Sequence, residues 1–146
     1  MTVRVTAKGV FAVLLLVAGL VAGVGFASAE KGEKAQRYGM VIGLKPEKLK
    51  YYNELHADPW AGVNKALKEA NIRNYSIYLT QFDDGKWYLF AYFEYTGDDF
   101  EADMRKMAAD AEMKRWWKET DPCQAPLNNR GKGKWWKTME EVYHLN

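Results

Sequence analysis

The sequence predicts an α+β domain in which two helices cover one face of a four-stranded antiparallel sheet. Three observations support this fold class. Strand-like and helix-like segments follow one another in the order strand, helix, strand, strand, helix, strand. The two central strands are joined by Asp83-Asp84-Gly85, which is a hairpin turn signal. The part of the chain that carries these segments is the size of one domain, so we expect a single core.

The first 29 residues have the pattern of an export signal. Arg4 and Lys8 precede an uncharged stretch rich in Val, Leu and Ala, which ends in Ala27-Ser28-Ala29. We therefore predict cleavage near Ala29 and a mature domain, residues 30–146, that is periplasmic or extracellular. The alternative is an uncleaved anchor, because 21 uncharged residues can span a bilayer core of about 30 Å. We expect the membrane to be a partner only if the leader is such an uncleaved anchor.

Charge and cysteine content narrow the possible partners. Two of the 21 basic residues and none of the 19 acidic residues lie in the leader, so the mature part has no formal net charge. This balance predicts that nucleic acid is not a partner, since phosphate binding needs an excess of Lys and Arg. Cys123 is the single cysteine, so stability must come from the core and not from an internal disulfide.

The first strand and first helix follow from proline and from apolar spacing. Gln36–Leu44 has strand character, and Pro46 after it suits the first turn of a helix. Helical spacing continues to His56, is interrupted by Pro59 and resumes over residues 63–70. The sequence predicts a broken helix with His56 at the break.

Residues 73–82 and 86–95 are predicted to be the two strands of the hairpin, because they are rich in Tyr, Ile, Phe and Trp. The second strand is apolar on both faces, although a two-layer domain covers only one face of its sheet. We expect the other face to form a homodimer or to enclose a ligand cavity, since so large an exposed aromatic face is unusual in a monomer. Its side chains alternate as Trp87, Leu89, Ala91 and Phe93 on one face and Tyr88, Phe90 and Tyr92 on the other.

Residues 98–117 are predicted to form the second helix, and residues 140–145 the last strand. The complete order is that of a ferredoxin-like sandwich. No internal repeat follows the leader, so residues 30–146 are read as one domain.

The residues argue against several kinds of catalysis. His56, His144 and Cys123 have no metal-ligand spacing, and the glycines near the C-terminus do not lie between a strand and a helix, as a phosphate loop requires. No serine or cysteine has the setting of a catalytic nucleophile. We therefore predict neither a metal nor an organic cofactor.

The remaining candidate for catalysis is a histidine that lies among aromatic residues. Tyr52 and His56 are four residues apart, so they share one side of a helix. An imidazole titrates near pH 6.5 and both gives and takes protons close to neutrality. A lone histidine is more often structural, and that alternative stays open.

Two tryptophan pairs are the second unusual feature. Adjacent side chains on a helix diverge by about 100°, so one indole of Trp116-Trp117 can enter the core while the other faces a cavity and stacks on a sugar ring. Core or interface packing explains this pair and Trp135-Trp136 equally well.

Five segments match one known family in order and spacing. They are His56-Ala57-Asp58-Pro59-Trp60 after Tyr52, Asn74-Tyr75-Ser76-Ile77-Tyr78-Leu79, Leu89-Phe90-Ala91-Tyr92-Phe93-Glu94, Arg115-Trp116-Trp117-Lys118 and Glu141-Val142-Tyr143-His144-Leu145. Together they resemble the L-rhamnose mutarotase family over about residues 37–145.

The resemblance implies a ferredoxin-like subunit that pairs through its sheet into a dimeric α/β barrel. It also implies cofactor-free interconversion of the α and β anomers of a free deoxy sugar such as L-rhamnose. By matching positions, His56 would be the proton donor, and the residues that contact the monosaccharide would be Tyr52, Tyr75, Trp116 and Trp117.

Two other functions remain as alternatives. One is a noncatalytic sugar-binding module, and the other is a ferredoxin-like oxygenase or haem-handling protein with His56 as axial ligand. The presence of both Tyr52 and His56 favours the enzyme over the binding module, because a pure binder can dispense with a titrating group. A haem protein would be coloured when purified.

Overall fold

The computed structural model describes residues 35–145, and the predicted leader with its cleavage site lies outside the described residues. None of the helices in this part of the chain is long and apolar enough to cross a membrane. The elements are β1 (Gln36–Leu44), a 3₁₀ turn (Pro46–Lys48), α1 (Leu49–Ala57), α2 (Ala61–Glu69), β2 (Ile72–Gln81), β3 (Trp87–Tyr95), α3 (Phe100–Ala109), α4 (Ala111–Thr120), a second 3₁₀ turn (Asp121–Cys123), β4 (Gln124–Ala125) and β5 (Lys137–Met139).

The sheet is antiparallel and has the order β2-β3-β1-β4, with β5 pairing on β1 beside β4. The register places Ile42 of β1 opposite Leu89 of β3. This strand order is that of a ferredoxin-like sandwich, so the predicted fold class is confirmed.

The helices cover one face of this sheet. Alternate side chains of β3 are buried beneath them, and Tyr52 from α1 packs against Ile42 and Leu89. A second cluster joins α2 to α4 through Val63 and Met113. Burying a side chain of this size contributes about 1.5–3 kcal/mol, so these contacts hold α1, α2 and α4 in place around the space that they border.

The first helix breaks where the sequence predicts, between Ala57 and Ala61, because Pro59 cannot continue it. The second helix, predicted as one unit over residues 98–117, is instead two helices. Asp110 separates them with an extended backbone, and its side chain accepts a hydrogen bond from the Met113 amide at 2.9 Å. The hydrogen bond by which an aspartate caps a new helix stabilises the break more than continuation of the preceding helix would.

The prediction of a last strand at residues 140–145 is wrong, because these residues have no regular structure. The last strand is β5, which lies immediately before them. β4 pairs with β1 at Gly43, and β5 pairs with β1 at Val41 and the two residues before it. The fourth strand of the fold is therefore interrupted, and residues 126–136 form an excursion between its two halves. Pro126 lacks the amide hydrogen that would continue the ladder from β4.

The opposite face of the sheet presents aromatic side chains that no helix of residues 35–145 covers. Tyr78 is 64% exposed and Phe82 is 51% exposed. Tyr88, Phe90 and Tyr92 are partly buried on the same face. The two-sided apolar pattern predicted for β3 is thus present, with one side in the core and the other at the surface.

Candidate active site

A cavity of about 390 Å³ borders the helical face of the sheet, which is within the usual size range of a small-molecule site. The structure brings all five of the predicted site residues to its wall. They are Tyr52 and His56 from α1, Tyr75 from β2, and Trp116 and Trp117 from α4.

Tyr52 and His56 form the polar centre of the wall. Their rings stack, with centroids 4.1 Å apart and an angle of 26° between the planes. His56 Nδ1 lies 2.9 Å from the backbone carbonyl oxygen of Tyr52. Because a carbonyl can only accept, Nδ1 carries the hydrogen and donates it. Neutral His56 therefore keeps the lone pair on Nε2.

The charge state of His56 follows from its surroundings. Burial lowers the pKa of the imidazole below its usual value, and the hydrogen bond to the Tyr52 carbonyl opposes this only in part. The ring is consequently neutral at pH 7. Nε2 is then a hydrogen-bond acceptor and a proton acceptor on the cavity wall.

The two tryptophans of α4 differ in the way that helical geometry predicts. Trp116 is 6% exposed and packs between α2 and α4. Its indole meets the rings of His56 and Trp60 edge-on, at centroid distances of 5.1 and 5.4 Å. Trp117 is only partly buried. Trp116 therefore supports His56 from the core, whereas Trp117 is freer to meet a ligand.

Tyr75 reaches the cavity because β2 is irregular. The pairing with β3 shifts by one residue between Arg73 and Ser76, and Asn74 has a φ of 48°. This bulge reverses the alternation of side chains, so that Tyr75 lies on the helical face, edge-on to Phe93. Although Tyr75 as a residue is 40% exposed, desolvation of its hydroxyl raises the pKa to about 12, and burial raises the pKa of Tyr52 as well. Both phenols are neutral donors at pH 7.

Sequence reasoning missed several residues of the wall. Gln124 is 5% exposed, and its side-chain oxygen accepts a hydrogen bond from Trp135 Nε1 at 2.6 Å. Asp121 also borders the cavity, and burial raises the pKa of its carboxyl group. Trp135 and Trp136 stood out by composition but had no predicted place. The additional wall residues are Ile77, Thr120, Asp121, Gln124, Trp135 and Trp136.

Within residues 35–145, no three His, Cys, Asp or Glu side chains gather in an arrangement that could hold a metal ion. The polar and aromatic groups that the cavity offers are one neutral imidazole, two neutral phenols, a carboxyl group, a threonine hydroxyl, a glutamine amide and indole rings. Such a set suits the binding of a small polyhydroxylated ring and the movement of protons on it.

The fold and the cavity together define a ferredoxin-like protein with a preformed acid–base site between sheet and helices. The chain belongs to the L-rhamnose mutarotase family, whose model matches residues 37–145. It is an isomerase that acts on carbohydrates, of the sugar mutarotase type.

Two relatives support this assignment, and one solved structure matches the fold. The chain is 35% identical over 122 residues to the L-rhamnose mutarotase of Ligilactobacillus salivarius (strain UCC118), covering 75% of this chain and 97% of that protein. It is 33% identical over 87 residues to the L-rhamnose mutarotase of Bacillus subtilis (strain 168), covering 60% of this chain and 78% of that protein. The crystal structure of an L-rhamnose mutarotase from Formosa agariphila matches the fold with a TM-score of 0.56 at 22% identity, covering 76% of this chain and 99% of that one. The noncatalytic binding module is not favoured by these similarities.

Proposed function

We propose that this protein interconverts the α and β anomers of a free deoxy sugar such as L-rhamnose, with His56 as the group that exchanges a proton with the anomeric oxygen. The observation that carries the proposal is the Nε2 lone pair of a neutral His56 on the wall of an aromatic cavity. The names of the two relatives support L-rhamnose as the first sugar to test.

The reaction begins when Nε2 takes the proton of the anomeric hydroxyl. The bond between the anomeric carbon and the ring oxygen breaks, and the ring oxygen receives a proton from a neighbouring donor. The open-chain aldehyde turns about one carbon–carbon bond and closes on its other face. On closure, the hydroxyl that attacks the aldehyde gives its proton back to that neighbouring group, and His56, now an imidazolium, returns its own proton to the aldehyde oxygen. His56 is thus the proton donor in ring closure, and no electrons are transferred.

Aromatic groups around His56 supply the binding surface in this proposal. Trp117 offers an indole face for the apolar side of the pyranose ring. Tyr75 and Tyr52 offer neutral hydroxyl groups to the sugar oxygens. Trp116 borders the sugar on one side and holds the His56 ring on the other.

We also propose that the protein is exported by its leader and works as a homodimer joined through the aromatic outer face of the sheet. Exposed Tyr78 and Phe82 support the second point, because association would remove their apolar surface from water. The A-x-A pattern that ends at Ala29 supports the first.

The test is magnetisation transfer between anomeric protons in NMR spectra of a panel of free sugars, with and without the protein. We expect faster exchange for at least one deoxy sugar. His56→Asn should lose a factor of about 10² to 10⁴, the usual contribution of a positioned acid–base group. His144→Asn is the matched control, because His144 is exposed in the C-terminal segment and does not border the cavity.

Two results would contradict the proposal. If the wild-type protein accelerates anomer exchange for none of the sugars, the proposed activity is wrong. If His56→Asn exchanges anomers as fast as His144→Asn while both remain folded, the proton acceptor is another group, and Asp121 would be the next candidate on the cavity wall.

A further inference from the structure

We propose that the substrate of this site is a free deoxy sugar that carries a short apolar chain, alkyl or acyl, on a hydroxyl other than the anomeric one. The sugar ring would lie in the cavity of His56, and the chain would lie in a second cavity beside it. The inference rests on the proposed function, because it names the substrate class of the same site.

The second cavity has a volume of about 260 Å³ and is bordered by the sheet and by helices α2, α3 and α4. Among residues 35–145, none of the side chains that line it is charged, and Tyr75 provides the single hydroxyl group. The lining residues are Met40, Val63, Leu67, Ile72, Tyr75, Phe93, Phe100, Met104, Met107, Met113, Trp116, Trp117 and Trp136. Such a wall gives water few hydrogen-bond partners, so it favours an apolar occupant.

The size of the second cavity indicates more than a methyl group. Protein interiors are close-packed, and voids larger than a water molecule are few. About 260 Å³ corresponds to roughly eight water molecules at about 30 Å³ each. The single methyl group of a 6-deoxy sugar leaves most of that space empty, whereas a chain of several carbons fills it.

Methionine is unusually common in the wall of the second cavity. Four of the five methionines in residues 35–145 line it, and the fifth, Met139 on β5, does not. The methionine side chain is unbranched and adapts its shape to what it contacts. The wall therefore suits a flexible apolar chain.

The two cavities are neighbours because they share part of one wall. Four aromatic residues border both of them, namely Tyr75, Trp116, Trp117 and Trp136. The two spaces are thus separated by no more than one layer of side chains. Trp117 and Trp136 are only partly buried, so the core holds their rings less tightly than it holds Trp116. A chain attached to the sugar on this side reaches the second cavity within a few bonds.

The first test compares L-rhamnose with its 2-, 3- and 4-O-butyl ethers in the wild-type protein, by magnetisation transfer between anomeric protons. Each buried methylene favours binding by about fourfold, so we expect at least one ether to have a KM lower by about tenfold or more. The matched control is the same ether with a carboxylate in place of the terminal methyl group, which should lose this gain because a charge is costly in an apolar cavity.

Two results of this comparison have different meanings. If L-rhamnose is exchanged and none of the butyl ethers has a lower KM, the inference about the substrate is overturned and the proposed function stands. If neither L-rhamnose nor any ether is exchanged, the proposed function itself is overturned.

Filling the second cavity should remove the preference for the ether. Met104 on α3 lines the second cavity and does not border the first. We expect Met104→Trp to raise the KM of the preferred ether by about tenfold and to leave kcat and KM for L-rhamnose unchanged. Arg105→Trp, at the exposed neighbouring position, is the matched control and should keep the preference. An undiminished preference in folded Met104→Trp would overturn the proposal.

A second measurement uses the wild-type protein alone. With ¹³C-labelled methionine methyl groups, the preferred butyl ether should shift the signals of the four methionines of the second cavity and leave Met139 unchanged. L-rhamnose should shift them much less. Signals that do not move with any ether would overturn the proposal. Signals that move with n-butanol and with none of the ethers would also overturn it, because the cavity would then bind an apolar molecule independently of the sugar.

Discussion

His56 Nδ1 donates to the backbone carbonyl oxygen of Tyr52 at a distance of 2.9 Å, one helical turn earlier on α1. The same helical spacing that stacks the two rings therefore also selects the tautomer of the histidine. A backbone carbonyl does not titrate, so Nδ1 keeps its hydrogen whenever α1 is folded, and the proton that His56 gains or loses is the one on Nε2.

The activity should fall at acid pH with the titration of His56. Burial lowers the pKa of this imidazole, so Nε2 is free at neutrality and becomes blocked only below about pH 6.5, the usual value. We expect kcat/KM to be constant near pH 7 and to decline in acid, after the uncatalysed rate is subtracted. Titration by NMR should give a pKa for His56 below the usual imidazole value of about 6.5. A rate that rises in acid would contradict a neutral histidine as the proton acceptor.

The same shift should make stability depend on pH. The unfolded chain binds a proton at His56 at a higher pH than the folded chain does, so the free energy of unfolding rises with pH across that window. It should decline as pH falls below about 6.5 toward the folded pKa. Chemical denaturation at several pH values should show this decline in the wild type and a weaker one in His56→Asn. Equal slopes would mean that His56 has an ordinary pKa.

Trp116 and Trp117 should separate into a structural and a binding residue. Trp116→Ala empties part of the core between α2 and α4 and should cost about 3–5 kcal/mol of unfolding free energy. Trp117→Ala should cost less stability and raise KM by roughly tenfold or less, since an aromatic contact is worth about 0.5–1.5 kcal/mol. Urea denaturation and anomer-exchange kinetics test both variants. Unchanged KM in Trp117→Phe and Trp117→Ala would place sugar stacking elsewhere.

The bulge at Asn74 should require a residue that tolerates positive φ. Asn74→Gly and Asn74→Val both remove the 2.6 Å hydrogen bond to Glu94, so the difference between them isolates the backbone conformation. We expect Asn74→Val to be less stable than Asn74→Gly by about 1–2 kcal/mol. Denaturation of the two variants in parallel measures this difference. Equal stability would show that the bulge relaxes, and Tyr75 would then be free to leave the cavity wall.

The outer sheet face should carry the dimer contact. Tyr78→Glu places a charge on a 64% exposed aromatic position and should convert a dimer into monomers. Asn53→Glu, on the exposed side of α1, is the matched control and should leave the dimer intact. Light scattering measures both. A wild-type protein that is monomeric at micromolar concentration would contradict the proposed assembly.

Export should leave a mature protein that begins at Glu30. The prediction depends on Ala27-Ser28-Ala29, the small-residue pattern at the end of the leader. Intact-mass spectrometry of the exported protein measures the N-terminus directly. Full-length chain in a membrane fraction would indicate the anchor instead.

Local patterns were enough for much of the fold. β1 has the predicted bounds, and the first helix breaks at Pro59. The alternation of β3 correctly separates a core face from a surface face. Asp110 shows the limit of such reasoning, because a helical pattern on both sides of it conceals an aspartate that ends one helix and caps the next.

By itself, the sequence determined most of the succession of strands and helices along the chain, the position of Tyr52 and His56 on one helical side and the divergence of Trp116 from Trp117, because each depends on residues that are close in the chain. Only the tertiary structure decided the rest. The bulge at Asn74 turns Tyr75 inward through the pairing of β2 with β3. The excursion of residues 126–136 returns Trp135 to Gln124, a contact across eleven residues that no local periodicity records. The orientation of the Gln124 amide on the cavity wall depends on that long-range contact, since a side chain's hydrogen-bond partners are set by what the fold packs against it.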